Sequence, residues 1–493
     1  MNTDYTFDKQ YNIDISEKLL EFIDASPSCY HAVAGIKDML PDYTELREAE
    51  EWTLRPGQGY YVVRNSSSII AFRIPDGIPI TTDNTDMSAF LISAAHSDSP
   101  AFKLKPDCEM DVEKHYTRLN VEKYGGMIMS SWFDRPLSVA GRVFTDENGS
   151  ITEHLINIDR DLLIIPSVAI HMNRDINDGY KYNAQKDMLP LFAAFVPETG
   201  NHGTNWEDIS GSAINDRETG KASHEDVLID IIAREAGVAA DSILGSDLFL
   251  YPRVRGTFLG SSSELIASRA LDDLQCAFAL IQGFVSSESH TEVSEINDHA
   301  SIGTDTETEF IPAKNKTGFN IPVCAIFDNE ETGSLSKQGA DSTFLYDTLL
   351  RIGSCLGYDD IRFRRMLAGS FMISADNAHA VHPNHPEYAD PTNRPYLNGG
   401  IVIKYNASQK YTTDGNSEAR LRKLCRQAGV PVQTYVNRSD IAGGSTLGNL
   451  SNRHVSVPTV DIGLPQLSMH SCFETAGAYD TGYMIRLIRE FYD

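Results

Sequence analysis

The pattern of hydrophobic and polar positions predicts two helices and then β structure in the first hundred residues. Apolar residues recur at helical spacing over residues 15–40, and Ser26-Pro27 interrupts them, so two short helices are expected. Residues 60–63 and 68–72 are typical of a β-hairpin. The continuous apolar run at 89–95 predicts a strand that is buried on both faces of a sheet.

The chain after residue 259 alternates between helices and strands. The apolar pattern predicts helices at 270–284, 342–356 and 417–428. It predicts strands at 321–327, 371–375, 400–404, 432–435 and 457–462. Such alternation indicates an α/β fold with a mixed or parallel sheet.

The middle of the chain differs from both ends. Short β-like runs at 162–165, 167–171 and 191–195 are broken by Gly, Asn and Pro. We therefore predict a discontinuous α/β domain made of residues 1–98 and 259–493, interrupted by a β-rich domain over residues 99–258. Residues 286–318 are acidic and rich in Ser and Thr, which predicts an exposed loop whose composition permits disorder.

The composition is that of a globular protein, with 41% hydrophobic and 23% charged residues. With 42 Lys and Arg against 69 Asp and Glu the net charge is −27, which argues against nucleic-acid binding because phosphates need a basic face.

The seven cysteines are scattered without a CxxC pair, which fits a reducing compartment. No secretory signal is visible, and no apolar run approaches the roughly 18 residues of a membrane span. We expect a cytoplasmic protein that binds neither nucleic acid nor a membrane.

Carboxylates and histidines recur just after the predicted buried strands. Ligands of open α/β sheets collect at the carboxyl ends of the strands, so these side chains are expected to lie together. The set consists of His96, Asp98, Glu330, Glu331, Asp376 and His470, together with Asp272 at the start of a predicted helix.

Each of these residues has a simpler interpretation. An Asp or Glu at a strand end is often a solvated turn residue, and Asp272 is a reasonable helix cap. The histidines at 379, 382 and 385 follow Asp376 closely, but a histidine is more often a hydrogen-bonded structural residue than a ligand, so this run alone does not indicate three ligands. The joint pattern, more than any one residue, indicates a metal site.

Six segments in the same order resemble the M18 metallopeptidases, the aspartyl aminopeptidase family. They are HSDSP (96–100), RALDD (269–273), DNEETGS (328–334), SADNAHAVHPN (374–384), GGIVIKYNASQKY (399–411) and SMHS (468–471), and AIHMNR (169–174) resembles a further segment. Many members have Thr where this chain has Ser97, and Asn where it has Asp273. Neither difference affects a ligand position.

The resemblance implies a mixed-sheet zinc-exopeptidase domain with an inserted β-rich dimerisation domain. It implies two Zn²⁺ ions per subunit, with other divalent metals as alternatives. Asp272 would bridge the two ions, His96 and Asp376 would complete the ligands of one, and Glu331 and His470 those of the other.

The resemblance also assigns Glu330 as the general base that accepts the proton of the attacking water. Since adjacent residues of an extended segment point to opposite sides, Glu330 and Glu331 are not expected to ligate the same metal. Asp98, two residues from His96, is expected to orient its imidazole, unless it is only a turn residue. The family pattern places His171 in a neighbouring subunit's active site and Lys404 near the substrate side chain.

The sequence thus predicts a zinc aminopeptidase that hydrolyses N-terminal residues from peptides and prefers Asp or Glu. The alternatives are an M18-type enzyme that prefers neutral residues, a related two-zinc amide hydrolase, and a peptide-binding protein without catalysis. The family resemblance further implies a homo-oligomer, with dimers assembling to a tetrahedral dodecamer.

Overall fold

The computed structural model describes residues 9–78, 88–147, 149–194, 227–287 and 319–493. The chain divides into two compact units. The first consists of Met1–Pro100, Gly125–Met127 and Val254–Asp493, and the second of Ala101–Tyr124 and Ile128–Arg253. The catalytic and dimerisation roles predicted for the two parts of the chain stay predictions.

Helices and strands are numbered along the described chain. The helices are α1 (Lys9–Ala25), α2 (Cys29–Asp38), α3 (Ala184–Asp187), α4 (Val227–Ala236), α5 (Leu271–Ser286), α6 (Phe344–Cys355), α7 (Asp360–Gly369), α8 (Gly415–Gln427), α9 (Leu447–Ser451) and α10 (Asp480–Tyr492). The first ten strands are β1 (Thr44–Leu46), β2 (Gly59–Arg64), β3 (Ser68–Arg73), β4 (Ala89–His96), β5 (Ala101–Val112), β6 (Tyr116–Tyr124), β7 (Leu137–Glu147), β8 (Ser150–Asn157), β9 (Leu191–Ala194) and β10 (Ile243–Pro252). The others are β11 (Thr257–Leu259), β12 (Leu265–Ser268), β13 (Asn320–Phe327), β14 (Phe371–Ala375), β15 (Ala378–His379), β16 (Ile401–Tyr405), β17 (Val432–Val436), β18 (Thr459–Gly463), β19 (Pro465–Leu467) and β20 (Glu474–Gly477).

A mixed sheet forms the centre of the first unit. Its nine described strands run in the order β1-β2-β3-β13-β4-β14-β18-β16-β17. β4 is parallel to both β13 and β14, so the carboxyl ends of these three strands meet at one edge of the sheet. Successive residues of β4 enter two different hydrophobic cores, with Leu91 and Ala95 in one and Ile92 and Ala94 in the other. The continuous apolar run of β4 therefore reflects burial on both faces, as predicted.

A smaller sheet of the same unit contains the strands that precede Asp272 and His470. Its order is β11-β12-β20-β19-β15. β20 pairs with β12 on one side, and β12 runs on to the start of α5. On the other side β20 pairs with β19, which precedes His470.

The second unit is built on an antiparallel sheet of six described strands in the order β8-β7-β10-β5-β6-β9. All of its strand pairs are antiparallel, which contrasts with the mixed sheet of the first unit. The predicted fold class, α/β with a mixed sheet and a separate β-rich part, is confirmed.

Two predicted strands of the middle region are wrong. Residues 162–165 form only isolated bridges at Leu163 and Ile164, and residues 167–171 form no strand. In that second stretch Val168 and Ile170 are exposed, so the apolar alternation there does not face a core of the described chain. Helices α3, α4, α7, α9 and α10 were not predicted from the sequence either.

The predicted acidic loop lies almost entirely outside the described residues. α5 continues through Ser286, and Ser287 ends it, so only the first two residues of 286–318 are described. Among the described helices, none is both long enough and apolar enough to cross a membrane.

Candidate metal centre

Five chain segments bring the predicted ligands to one edge of the mixed sheet. His96 is the last residue of β4, and Asp376 follows β14 directly. Glu331 lies in a short 3₁₀ turn, Glu330–Thr332, shortly after β13. Asp272 is the second residue of α5, and His470 follows β19. The parallel arrangement of β4, β13 and β14 is what places three of these segments side by side.

Asp272 lies at the centre of the arrangement. Its Oδ1 is 3.6 Å from Nε2 of His96, and its Oδ2 is 3.4 Å from Nε2 of His470. The same His470 nitrogen is 3.3 Å from Oε2 of Glu331. The two oxygens of one carboxylate therefore face the two histidines separately.

Asp98 contacts both His96 and the turn that carries Glu330 and Glu331. Its Oδ1 is 3.3 Å from Nδ1 of His96. Its two carboxylate oxygens also accept the backbone N–H groups of Glu330 and Glu331, at 3.1 and 3.2 Å. Asp98 is almost fully buried, so it is more than a solvated turn residue. These contacts join the His96 ring and the turn that carries Glu330 and Glu331 to one carboxylate.

Glu330 and Glu331 both reach the same place. The two carboxylates and His96 offer ligand atoms that lie within 4.8 Å of one another. The expectation that they point to opposite sides assumed an extended chain, but they lie in a 3₁₀ turn after Asn329, whose φ is 62°. The prediction that Glu330 and Glu331 point to opposite sides is therefore wrong for this segment. The positions of the two side chains do not decide which of them would ligate a metal.

Lys404 forms an ion pair with Asp376. Its Nζ is 3.3 Å from Oδ2 of Asp376 and 5.4 Å from the centre of the Tyr411 ring. The residue is only 2% exposed, and although burial lowers the pKa of Lys404, the charge of Asp376 outweighs this together with other neighbours and raises it. The Lys404 amine is thus paired with a predicted metal ligand.

The site concentrates negative charge where water is excluded. Burial raises the pKa of Glu330 to about 8, and burial with the charge of Asp272 raises that of Glu331 well above its usual value. Burial lowers the pKa of His96, but the nearby carboxylates of Asp272, Asp273 and Asp98 outweigh this and raise the pKa. Raised pKa values at both the carboxyl groups and the histidine show that the side chains of the site carry too little positive charge to balance the carboxylates.

The donor set fits a divalent metal. Oδ1 of Asp272 and Oε1 of Glu331 are buried and have no hydrogen-bond partner within the described residues. Three groups of candidate ligands exist in the described chain: His96 with Asp272, Asp273 and Asp376; His96 with Glu330 and Glu331; and Asp272 with Glu331 and His470. Imidazole nitrogen with carboxylate oxygen is a donor set that Zn²⁺ accepts.

The sequence did not predict the roles of three further residues of the site. Gly125 has a φ of 78°, and a Cβ there would lie 3.0 Å from Cβ of Glu331, so the backbone passes close over this carboxylate. Asp273 accepts the backbone N–H groups of His96 and Asn377, at 3.4 and 3.2 Å. Glu474 is buried and accepts the backbone N–H groups of Asp272 and His470. The adjacent pairs Gly125-Gly126 and Asp272-Asp273 were the available signals.

The remaining predicted residues belong to none of these candidate ligand groups of the described chain. His171 belongs to the second unit, where it is exposed in a turn closed by a hydrogen bond from Met172 N to Ala169 O. The histidines at 379, 382 and 385 are in none of the candidate ligand groups of the described chain. They line a cavity of about 350 Å³ together with Tyr435, Arg438 and Gln466.

The chain is similar to known proteins over almost its whole length. The sequence profile described as "Aminopeptidase I zinc metalloprotease (M18)" matches residues 22–311 and 310–492. A protein of Clostridium acetobutylicum named "Probable M18 family aminopeptidase 2" is 41% identical over 485 residues, which are 98% of this chain and 99% of that protein.

Two solved structures are also similar. A chain of the "Cryo-EM structure of the Ape4 and Nbr1 complex" is 34% identical with a TM-score of 0.82, covering 98% of this chain and 86% of its own. The "S. cerevesiae mApe1 dodecamer" is 24% identical with a TM-score of 0.76, covering 98% of this chain and 97% of its own, and shows the fold alone.

A mixed sheet that gathers histidines and carboxylates at one edge, together with this similarity, defines a metallo-aminopeptidase. The chain belongs to the M18 family of zinc metallopeptidases, whose members remove N-terminal residues.

Proposed function

We propose that this aminopeptidase holds two Zn²⁺ ions and prefers peptides that begin with Asp or Glu. The observation that carries the two-metal proposal is the position of Asp272, which belongs to two different groups of candidate ligands. One group contains His96 and Asp376, with Asp273 as an additional member, and the other contains Glu331 and His470. Apart from Asp273, the members agree with the family pattern, so Asp272 would contribute to both ions.

The side chains divide the chemistry among them. Bound zinc supplies Lewis-acid polarisation of the substrate carbonyl and lowers the pKa of water toward about 7. Glu330, beside His96 and Glu331, accepts the proton of the attacking water and later returns it to the leaving amine. Asp98 contacts both the His96 ring and the backbone of the 330–331 turn, so it holds Glu330 at a fixed distance from His96 during this transfer.

Lys404 supports the acidic preference, because a buried cation next to the ligands favours a substrate carboxylate. One observation favours the neutral alternative: the charge of Lys404 is already paired with Asp376 at 3.3 Å. A neutral side chain would then enter the cavity beside His379 and Tyr435, whose rings are 5.9 Å apart. The two alternatives differ in whether the Lys404 ammonium is available to the substrate.

Substrate comparison separates the two. If Lys404 contacts the substrate, kcat/KM for Asp- and Glu-anilides exceeds that for Leu-anilide by about ten-fold or more, as a charge-assisted hydrogen bond of about 1.5–3 kcal/mol requires. The Lys404→Met variant then loses this ratio, mainly through KM. Lys423→Met, an exposed lysine on α8, is the matched control. A clear preference of the unchanged enzyme for Leu would refute the acidic proposal.

We further propose that the enzyme is a homo-oligomer in which His171 serves the active site of a neighbouring subunit. The similar mApe1 is described as a dodecamer, and in this chain Val168, Ile170 and Met172 around His171 are all exposed, Met172 by 82%. Apolar side chains exposed together are typical of a protein interface.

Mixing two inactive variants tests this arrangement. His171→Ala and Glu330→Gln are each expected to be impaired, but a mixed assembly contains sites with an intact Glu330 and an intact His171 from the neighbour. Mixing with subunit exchange should therefore restore activity. No recovery after demonstrated exchange, or light scattering that shows only the 54.6 kDa chain, would contradict the proposal.

A further inference from the structure

Glu474 lies where two ligand-bearing segments meet. It is the first residue of β20 and is only 1% exposed. β20 lies between β12, which leads to Asp272, and β19, which leads to His470. Its side chain is therefore placed between the two segments that the proposed function assigns to the metals.

Each oxygen of Glu474 serves a different segment. Oε2 accepts the backbone N–H of Asp272 at 3.0 Å, and Oε1 accepts the backbone N–H of His470 at 2.7 Å. His470 has a φ of 65°, a left-handed conformation that non-glycine residues rarely adopt. The hydrogen bond from its own N–H to Glu474 helps to hold it in that conformation.

We propose that Glu474 is a positioning residue, which sets the separation of Asp272 and His470 and thereby the affinity of the site for zinc. This inference rests on the proposed role of both residues as metal ligands. A carboxylate can accept a hydrogen bond on each oxygen, whereas an amide offers one acceptor oxygen and an NH₂ group that would face a second N–H. Glutamine at 474 therefore cannot hold both ligands at once.

Asp480 provides a matched comparison. It is also fully buried and also accepts two backbone N–H groups, from Asn398 at 2.7 Å and from Gly400 at 2.9 Å. Neither of these residues is a predicted ligand. A purely structural role for Glu474 predicts that the two carboxylates respond alike to amide substitution.

The test measures zinc affinity by competition with a chromogenic chelator, on the full chain, beside the melting temperature. Glu474→Gln is expected to bind zinc about 10- to 100-fold more weakly, the usual effect of losing a group that orients a ligand. Asp480→Asn is expected to lower the melting temperature and to keep zinc affinity within about two-fold. Wild-type zinc affinity in Glu474→Gln overturns the inference.

Glu474→Asp decides the question if the glutamine variant does not fold. It keeps the charge and both acceptor oxygens but shortens the side chain by one methylene, so we expect a folded protein with an intermediate zinc affinity. Unchanged affinity in this variant also overturns the inference. A failure of the metal assignment has a different signature: Asp272→Asn would then bind two zinc ions as tightly as the unchanged protein.

Discussion

Replacing Glu330 with Gln is expected to lower kcat by about 100- to 10,000-fold, the range that a positioned general base supplies. The amide keeps the shape of the side chain but cannot accept the proton. The turn itself should survive, because Asp98 holds it through the backbone N–H groups of residues 330 and 331 and not through the Glu330 side chain. KM and zinc content are therefore expected to stay close to those of the unchanged enzyme.

Two further variants serve as comparisons for the Glu330→Gln measurement. Glu331→Gln, one residue away, is expected to lose zinc as well as activity, because Oε2 of Glu331 lies 3.3 Å from Nε2 of His470 in the proposed ligand set. Glu387→Gln, at an exposed position, should change neither the zinc content nor the activity. Steady-state kinetics and elemental analysis on the same preparations separate the three. Unchanged peptide turnover in Glu330→Gln would eliminate the proposed base.

Removal of the metal with a chelator is expected to abolish activity reversibly and to make the stability of the enzyme depend strongly on pH. Burial raises the pKa of Glu330 to about 8 and raises the pKa of Glu331 and Glu474 well above the usual range. Without cations, these carboxyls must either hold protons or ionise in a buried place. Zinc relieves this conflict, since it compensates the carboxylate charges directly.

The direction of the pH effect follows from these raised values. A carboxyl whose pKa is higher in the folded than in the unfolded chain contributes stability that is fully present below the unfolded pKa of about 4.3 and is lost as pH rises through the folded value. The raised pKa of His470 acts in the same direction. Burial raises the pKa of Asp272, but the neighbouring His470 and His96 imidazoles outweigh this and lower it, so its contribution changes only in acid.

Melting curves of metal-free and zinc-loaded protein test this. Between about pH 5.5 and about pH 8.5 the melting temperature of the metal-free protein should fall by at least about 5 °C, since 1 kcal/mol corresponds to about 2–4 °C in a domain of 150–250 residues. The zinc-loaded protein should show a smaller fall. A metal-free protein that becomes more stable with rising pH would contradict the electrostatic account, as would identical pH profiles of the two forms.

The sequence predicted much of the fold because local pattern reports burial. β4 and β13 were evident as continuous apolar runs, since each is covered on both faces. Residues 167–171 also have a strand-like pattern, with apolar side chains at alternate positions, but they form no strand. Val168 and Ile170 are exposed there. Pattern alone cannot distinguish apolar residues that enter a core from those that remain on a surface.

The sequence by itself determined the residue types of the site, their order along the chain and the sheet edge where they meet. Asp272, His96, Glu331, Asp376 and His470 were all named from strand ends and from family segments. Only the tertiary structure decided how these residues are held. It pairs Lys404 with Asp376, turns Glu330 and Glu331 toward the same histidine, and places Glu474 between Asp272 and His470. These contacts join residues far apart in the chain, and they depend on strand order and register, which hydrophobic periodicity does not encode.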